Sequence, residues 1–309
     1  MNKHASPPLL AIVGTTASGK STVAMELAKN VGGIEIISVD SMQIYRGMDI
    51  GTAKPTREEL DLVPHHMIDL IDPDKEYAIS EYQKEAQEVL EDIKRRKSIP
   101  LLVGGTGLYL RTIIDDLKIP GQYPDTREEI ETESETKKLY EKLNELDPVA
   151  ASRIEENNRR RILRALEVTV GSGKKFSSYG PGLATYPKTE FRIFGLKWAR
   201  DQIDQRITAR YEWQIKNGFL DEVKQLFNSS IEVSRTASQA LGYSQFFEYL
   251  RGELSYEEAF EKAIADTKKF ARKQERWFRR DPRTYWIEIK EDPLEAIPIL
   301  MAEYRQCIL

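Results

Sequence analysis

Short apolar runs alternate with longer amphipathic ones along the first third of the chain. "LLAIVG" (Leu9 to Gly14) is an unbroken apolar run closed by glycine, the pattern of a strand buried on both faces of a parallel sheet. Gly19 to Asn30 places Val23, Met25, Leu27 and Ala28 on one inner side, which predicts a helix. "IEIISVD" predicts a second strand ending at Asp40. A helix over Ser80 to Lys97 is predicted to open on Ser80-Glu81-Tyr82-Gln83 as a capping box, and "IPLLVGG" predicts a third strand. Strands that alternate with helices imply right-handed crossovers and a parallel sheet flanked by helices. Ligands of such sheets sit at the carboxyl ends of the strands, where Gly14, Asp40 and Gly104-Gly105 all fall.

The texture changes at Pro120. From there to about Lys188 the chain is highly charged, helical in period and free of strand-like runs, ending in a loop rich in glycine, proline and serine, "GSGKKFSSYGPGLATYPK". "FRIFGLKW" then resumes the strand pattern, "TYWIEI" predicts a last strand, and a long helix is predicted from Ser255, capped by Ser255-Tyr256-Glu257-Glu258, to Arg280. The expected fold is therefore α/β: a parallel sheet flanked by helices, residues 1–119 and 190–309, with an all-helical insertion over 120–189.

Composition narrows the chemistry. At 309 residues, 40% hydrophobic and 31% charged, the chain has the balance of a soluble globular protein. No apolar run approaches the roughly 18 residues of a membrane helix, and "MNKHASPP" carries no apolar stretch of a secretory leader. One cysteine, Cys307, excludes an internal disulfide and fits a reducing cytoplasm. Three histidines, His4, His65 and His66, are badly spaced for a zinc centre. The net charge of −4 gives no bulk signal for nucleic acid, so RNA binding would require local clusters of cations.

Gly14-Thr15-Thr16-Ala17-Ser18-Gly19-Lys20-Ser21 matches G-x-x-x-x-G-K-[ST] in full, between a predicted strand and a predicted helix. Its glycines let backbone N–H groups curl round an anion, and the helix N-terminus adds partial positive charge. Lys20 would neutralise an outer phosphate, and the Ser21 hydroxyl could ligate Mg²⁺. A P-loop fold follows. "GSGKK" (Gly171 to Lys175) lacks both the spacing and the preceding strand. Asp40 has two functional readings, a carboxylate that holds Mg²⁺ through water or a general base beside the phosphate, against the plain alternative of a turn cap. Gly104-Gly105-Thr106-Gly107 allows close backbone approach and offers a hydroxyl, and the strand before it ends without the acid usual in hydrolases.

Two basic clusters stand out. Arg159-Arg160-Arg161 with Arg164 opens a helix in the insertion, and "TKKFARKQERWFRR" carries Lys268, Lys269, Arg272, Lys273, Arg276, Arg279 and Arg280 against Glu275 alone. Either cluster could be a solvated face; together, in an acidic chain, they suit a polyanion larger than a nucleotide.

"GTTASGKS", "ISVDSMQIYRGMDIGTAKP", "PLLVGGTGLYL", "RRILRALEV" and "ALGYSQ" resemble, in order and spacing, the bacterial tRNA dimethylallyltransferases, over nearly the whole chain. The resemblance implies that the loop holds the diphosphate of dimethylallyl diphosphate and that the prenyl group goes to N6 of adenosine 37, beside the anticodon of tRNA. It implies Asp40 as the base, Lys20, the loop amides and Mg²⁺ at Ser21 as stabilisers of the leaving diphosphate, and Thr106 and Arg127 in the reaction channel. For tRNA contacts it implies Asp40, Ser41, Met42 and Gln43, then Arg160, Arg161 and Arg164, then Gln239, Gly242 and Tyr243, and the helix carrying Arg272, Lys273, Arg276 and Arg279. Some relatives have arginine where this chain has Gln239, so no charged role is assigned there. The zinc finger of eukaryotic relatives is not expected. A monomer acting in the cytoplasm is the expectation. A P-loop kinase is the rival reading, though it calls for a nucleobase pocket and an arginine-rich lid; a non-catalytic RNA-binding regulator is the third.

Overall fold

The computed structural model describes residues 8–229 and 232–308, with side chains to Tyr304. His4 and the side chain of Cys307 lie outside the described residues. In chain order the first elements are β1 (Leu9–Gly14), α1 (Lys20–Val31), β2 (Ile34–Val39), α2 (Arg57–Leu62), β3 (His65–His66), α3 (Ile79–Arg95), β4 (Ile99–Gly104) and α4 (Gly107–Ile114). Helices α5 (Pro124–Glu131), α6 (Thr136–Leu146), α7 (Pro148–Ala151) and α8 (Arg159–Ser172) follow. The chain then forms β5 (Phe191–Lys197), α9 (Arg200–Lys216), α10 (Phe219–Phe227), α11 (Arg235–Ser238), α12 (Tyr243–Leu250), α13 (Tyr256–Arg279), β6 (Thr284–Glu288) and α14 (Ile297–Ile308).

All six strands are parallel, in the order β3-β2-β4-β1-β5-β6. The fold is the expected α/β P-loop arrangement. Apolar residues alternate between faces: Leu10 and Ile12 pack with Val23 and Leu27 of α1 and Leu300 of α14. Ala11 and Val13 pack with Tyr82 and Ala86 of α3 and Leu110 of α4. Each fully buried Val, Leu or Ile among them contributes about 1.5–3 kcal/mol. A third cluster, built on Phe219, Tyr243 and Phe246, encloses Ile44, Tyr45 and Met48 from the segment after Asp40. That segment is thus a packed loop anchored in a core.

The chain divides into two compact units, residues 1–114 with 188–309, and residues 115–187. The divisions fall at 114/115 and 187/188, a few residues from the expected 119/120 and 189/190. The smaller unit is helical, with α5, α6 and α8 packed round Ile130, Leu139, Leu143, Ile162 and Leu166.

Helix α3 departs from expectation. It starts at Ile79, and Glu81 accepts from the Ala78 N–H at 2.7 Å while Ser80 lies inside the first turn. Only the glutamate half of the box can form, because the cap residue is alanine. The long helix does carry its full box, Ser255 with Glu258.

Candidate active site

Strand register brings three loops to one level. Val13 and Val39 both pair with Gly104, so the phosphate loop, Asp40 and the Gly105-Thr106 turn emerge side by side. Gly104 permits this: a Cβ there would lie 2.0 Å from the Val39 carbonyl oxygen. The Thr106 N–H donates to the same carbonyl at 3.2 Å, and its hydroxyl accepts from the Ser41 N–H at 3.2 Å. One Asp40 oxygen accepts from the Met42 N–H at 2.8 Å. Asp40 therefore caps its own turn and still presents a half-buried carboxylate.

The phosphate loop has its carbonyls occupied. Thr15 O accepts from Lys20 Nζ at 2.7 Å, Ala17 O from Arg206 Nε at 2.8 Å, and Ser18 O from Trp198 Nε1 at 2.9 Å. Arg206 also lies over the Trp198 ring, 4.3 Å from its centroid. Ala17 sits at φ 60° and Gly19 at φ 86°, left-handed backbone that curls successive peptides. Among the described residues, the N–H groups of Ala17, Gly19, Lys20 and Ser21 donate to no protein acceptor. Free amides at the start of a twelve-residue helix form an anion cradle. The Ser18 hydroxyl is buried beneath it without a partner.

Electrostatics sharpen the picture. Burial pulls Lys20 from 10.5 to about 8; Asp40 opposes that shift and Arg210 adds to it. Burial likewise lowers Arg210, which Asp40 partly offsets. Arg210 donates to the Thr16 hydroxyl at 3.2 Å. Two cations and one carboxylate thus share a recess at the strand ends.

Sequence reading missed Arg206, Arg210 and Gln274. The two arginines stand four apart on α9, on one face with Ile203 and Ile207, a spacing easily passed over in a helix so rich in charge. Gln274 of α13 accepts from the Thr16 N–H at 2.8 Å and donates to Gly105 O at 3.0 Å. Glu222 was missed too. Its buried carboxylate accepts from the N–H groups of Asp49, Ile50 and Gly51 at 2.8–3.0 Å and from the Tyr243 hydroxyl at 2.5 Å, anchoring the loop after Asp40. Gln43 braces that loop from inside, accepting from Ser38 and donating to Thr52 O and Ala53 O.

Several residues expected at a tRNA surface have partners within the protein. Tyr243 is fully buried, its ring edge-on to Phe219, so its side chain is a core group. Gly242, at φ 87°, turns the chain into α12. Arg272 pairs with Asp204 at 3.1 Å, and Arg279 with Glu275 at 2.6 Å. Both line a cavity of about 360 Å³ that reaches Thr15. In the helical unit, Arg164 pairs with Glu167 at 2.5 Å and donates to Pro120 O and Gly121 O; Arg127 pairs with Glu131 at 2.6 Å. Arg160, Arg161, Gln239, Lys273, Arg276 and Arg279 are exposed, and Ser41, Met42 and Gln43 are half-buried.

Fold and recess together define a P-loop protein whose anion cradle faces a carboxylate across the ends of neighbouring strands. Known proteins narrow that class. The profile described as IPP transferase matches residues 43–281, and that described as isopentenyl transferase matches residues 7–74. A tRNA dimethylallyltransferase of Carboxydothermus hydrogenoformans is 42% identical, covering 94% of this chain and 95% of the relative; one from a Thermoanaerobacter species is 43% identical over 92% of each. Among solved structures, a tRNA isopentenylpyrophosphate transferase of Bacillus halodurans superposes with a TM-score of 0.69 at 35% identity, covering 97% of both chains. A eukaryotic dimethylallyltransferase acting on tRNA superposes at 0.76 and 28% identity, covering 92% of this chain and 74% of that one. The chain belongs to the IPP transferase family.

Proposed function

We propose that the chain transfers the dimethylallyl group of dimethylallyl diphosphate to N6 of adenosine 37 in tRNA, releasing diphosphate. The observation that carries this reading is the recess itself: the free amides of Ala17, Gly19, Lys20 and Ser21, with the Lys20 and Arg210 side chains, beside Asp40. The cradle recognises phosphate oxygens and is indifferent to the group they carry. The relatives, named as tRNA dimethylallyltransferases, supply the rest.

In this reading the adenine N6 lone pair attacks C1 of the prenyl group as the C1–O bond breaks, and the bonding pair leaves with the diphosphate. Free amides, Lys20 and Arg210 stabilise the negative charge that grows on the leaving group, where preorganised donors act most strongly. The exocyclic amine is a poor nucleophile because its lone pair is delocalised into the ring. Asp40 takes the N6 proton, one of its oxygens being steadied by Met42 N–H. Thr106 holds the Ser41 peptide that follows the base. A base stacked in the anticodon loop must be flipped out to reach this recess. Ser41 to Gln43, Gln239, Lys273 and Arg276 suit tRNA contact from the larger unit, and Arg160 and Arg161 from the helical one.

Mg²⁺ fits the donor set. The Ser21 hydroxyl opens the helix beside the amides, while no group of three acidic, histidine or cysteine ligands forms among the described residues. A hard cation of this kind takes few protein oxygens and fills its shell with phosphate and water. When bound it would neutralise charge on the departing diphosphate. None of the described helices could cross a membrane; a monomer is the proposed form, and the cytoplasm, where tRNA is modified, the proposed site of action.

Incubation with labelled dimethylallyl diphosphate, Mg²⁺ and unmodified tRNA bearing adenosines at 36 and 37 tests the reading. Label is expected in the RNA. Unlabelled RNA together with ATP turnover would favour a P-loop kinase.

A further inference from the structure

We infer that Gln274 is a positioning residue for prenyl transfer, its amide setting the gap between the loop that holds the leaving group and the loop beside the base. The inference rests on the transfer reaction proposed above. Gln274 is 8% exposed, on the inner face of α13. Its carbonyl can only accept and its NH₂ can only donate, and both are used across the recess, to Thr16 N–H and Gly105 O. The fit is close, since a Cβ on Gly105 would sit 2.4 Å from Nε2. From Gly105 the chain passes to Thr106, whose hydroxyl holds Ser41 N–H, next to Asp40. One continuous path thus joins the phosphate loop to the base: Thr16, Gln274, Gly105, Thr106, Ser41, Asp40.

The helix does not depend on this amide for its seat. Ala271 and Phe278, on the same buried side, pack into the two neighbouring apolar clusters. What the amide adds is a fixed distance between two loops that carry opposite ends of the reaction. No apolar residue can bridge an N–H and a carbonyl oxygen. Glutamate could accept from Thr16 yet would turn an oxygen toward Gly105 O. A displacement of order 1 Å at reacting groups costs about 100-fold in rate, so loss of the bridge should act on the chemical step. The donor-binding amides of Ala17, Gly19, Lys20 and Ser21 and the Lys20 ammonium are not touched by it.

The test compares wild type, Gln274→Met and Gln274→Glu in single-turnover transfer at saturating tRNA, with binding of unreactive dimethylallyl thiodiphosphate and thermal melting measured in parallel. Gln274→Met is expected to slow transfer at least about tenfold while the analogue's Kd stays within about threefold. Gln274→Glu, keeping one of the two bonds, should fall between. An unchanged rate in Gln274→Met would overturn the inference. So would a parallel loss of rate, analogue binding and melting temperature in both variants, which would make Gln274 a structural pillar. Absence of transfer by wild type would remove the underlying reading, and the inference with it.

Discussion

Raising the pH through 8 should weaken donor binding, because the cation that meets the diphosphate gives up its proton early. Lys20 is pulled to about 8, chiefly by burial among the loop peptides. Its protonated fraction falls from about ten in eleven at pH 7 to about one in eleven at pH 9, a tenfold loss of competent protein worth about 1.4 kcal/mol. A bound diphosphate favours the ammonium form, so binding takes up a proton above pH 8 and log Kd climbs by up to about one per pH unit. The phosphate's own second ionisation, near 6, is already about nine-tenths complete at pH 7 and adds little across that window. Isothermal titration of dimethylallyl thiodiphosphate at pH 7, 8 and 9, in buffers of different ionisation enthalpy, reads both the slope and the proton uptake. Lys20→Met should bind weakly with no such slope. Equal wild-type affinity at pH 7 and 9, or the same slope in Lys20→Met, would refute the reasoning. For the free protein the sign reverses. The unfolded chain keeps this proton to about 10.5 and the native one releases it near 8, so between those values the contribution of Lys20 to stability grows with pH.

Other outcomes follow from the same geometry. Asp40→Ala should lower transfer by about 10²–10⁴-fold while leaving analogue binding largely intact; a collapse of donor affinity would instead make Asp40 part of the phosphate or metal site. Removing the exposed cations Lys273 and Arg276 together should weaken tRNA binding and reduce its salt slope by about one per charge removed, whereas an unchanged slope would leave that face merely solvated. Glu222→Ala orphans three backbone N–H groups and a buried tyrosine hydroxyl and should cost about 3–5 kcal/mol in urea unfolding. Gly104→Ala forces a Cβ against the Val39 carbonyl between two central strands and should destabilise by several-fold more than Gly47→Ala, where a Cβ meets nothing within 4 Å but φ is 72°, as thermal melting would show.

The strands and the phosphate loop were legible because their signals are local. A short, mostly apolar run reads as a buried strand wherever it stands, and β1, β2, β4 and β5 follow such runs, closed by glycine in β1 and β4. The two-residue edge strand His65–His66 has no apolar run to announce it and owes its place to pairing with β2. Ser80 mimics a cap that the fold sets two residues earlier, at Ala78. Charge density was legible and charge availability was not. Arg164 and Arg272 belong to clusters that suggest RNA, yet their partners, Pro120 O and Asp204, lie 44 and 68 residues away. Tyr243 sits in a stretch read as a tRNA contact by resemblance, yet it is enclosed by aromatic rings from α10 and α12. Gln274 shows the converse. A lone amide in a basic helix carries no sequence signal, and only the fold places it between Thr16 and Gly105.

The central claim is that the cradle's phosphate is the leaving group of a prenyl donor. Nuclease digestion and mass spectrometry of tRNA, after incubation with dimethylallyl diphosphate and Mg²⁺, tests it most directly. The account predicts one added C₅H₈ unit, confined to the fragment bearing adenosine 37 and absent with Asp40→Ala. Unmodified RNA, or prenylation elsewhere that survives loss of Asp40, would contradict it.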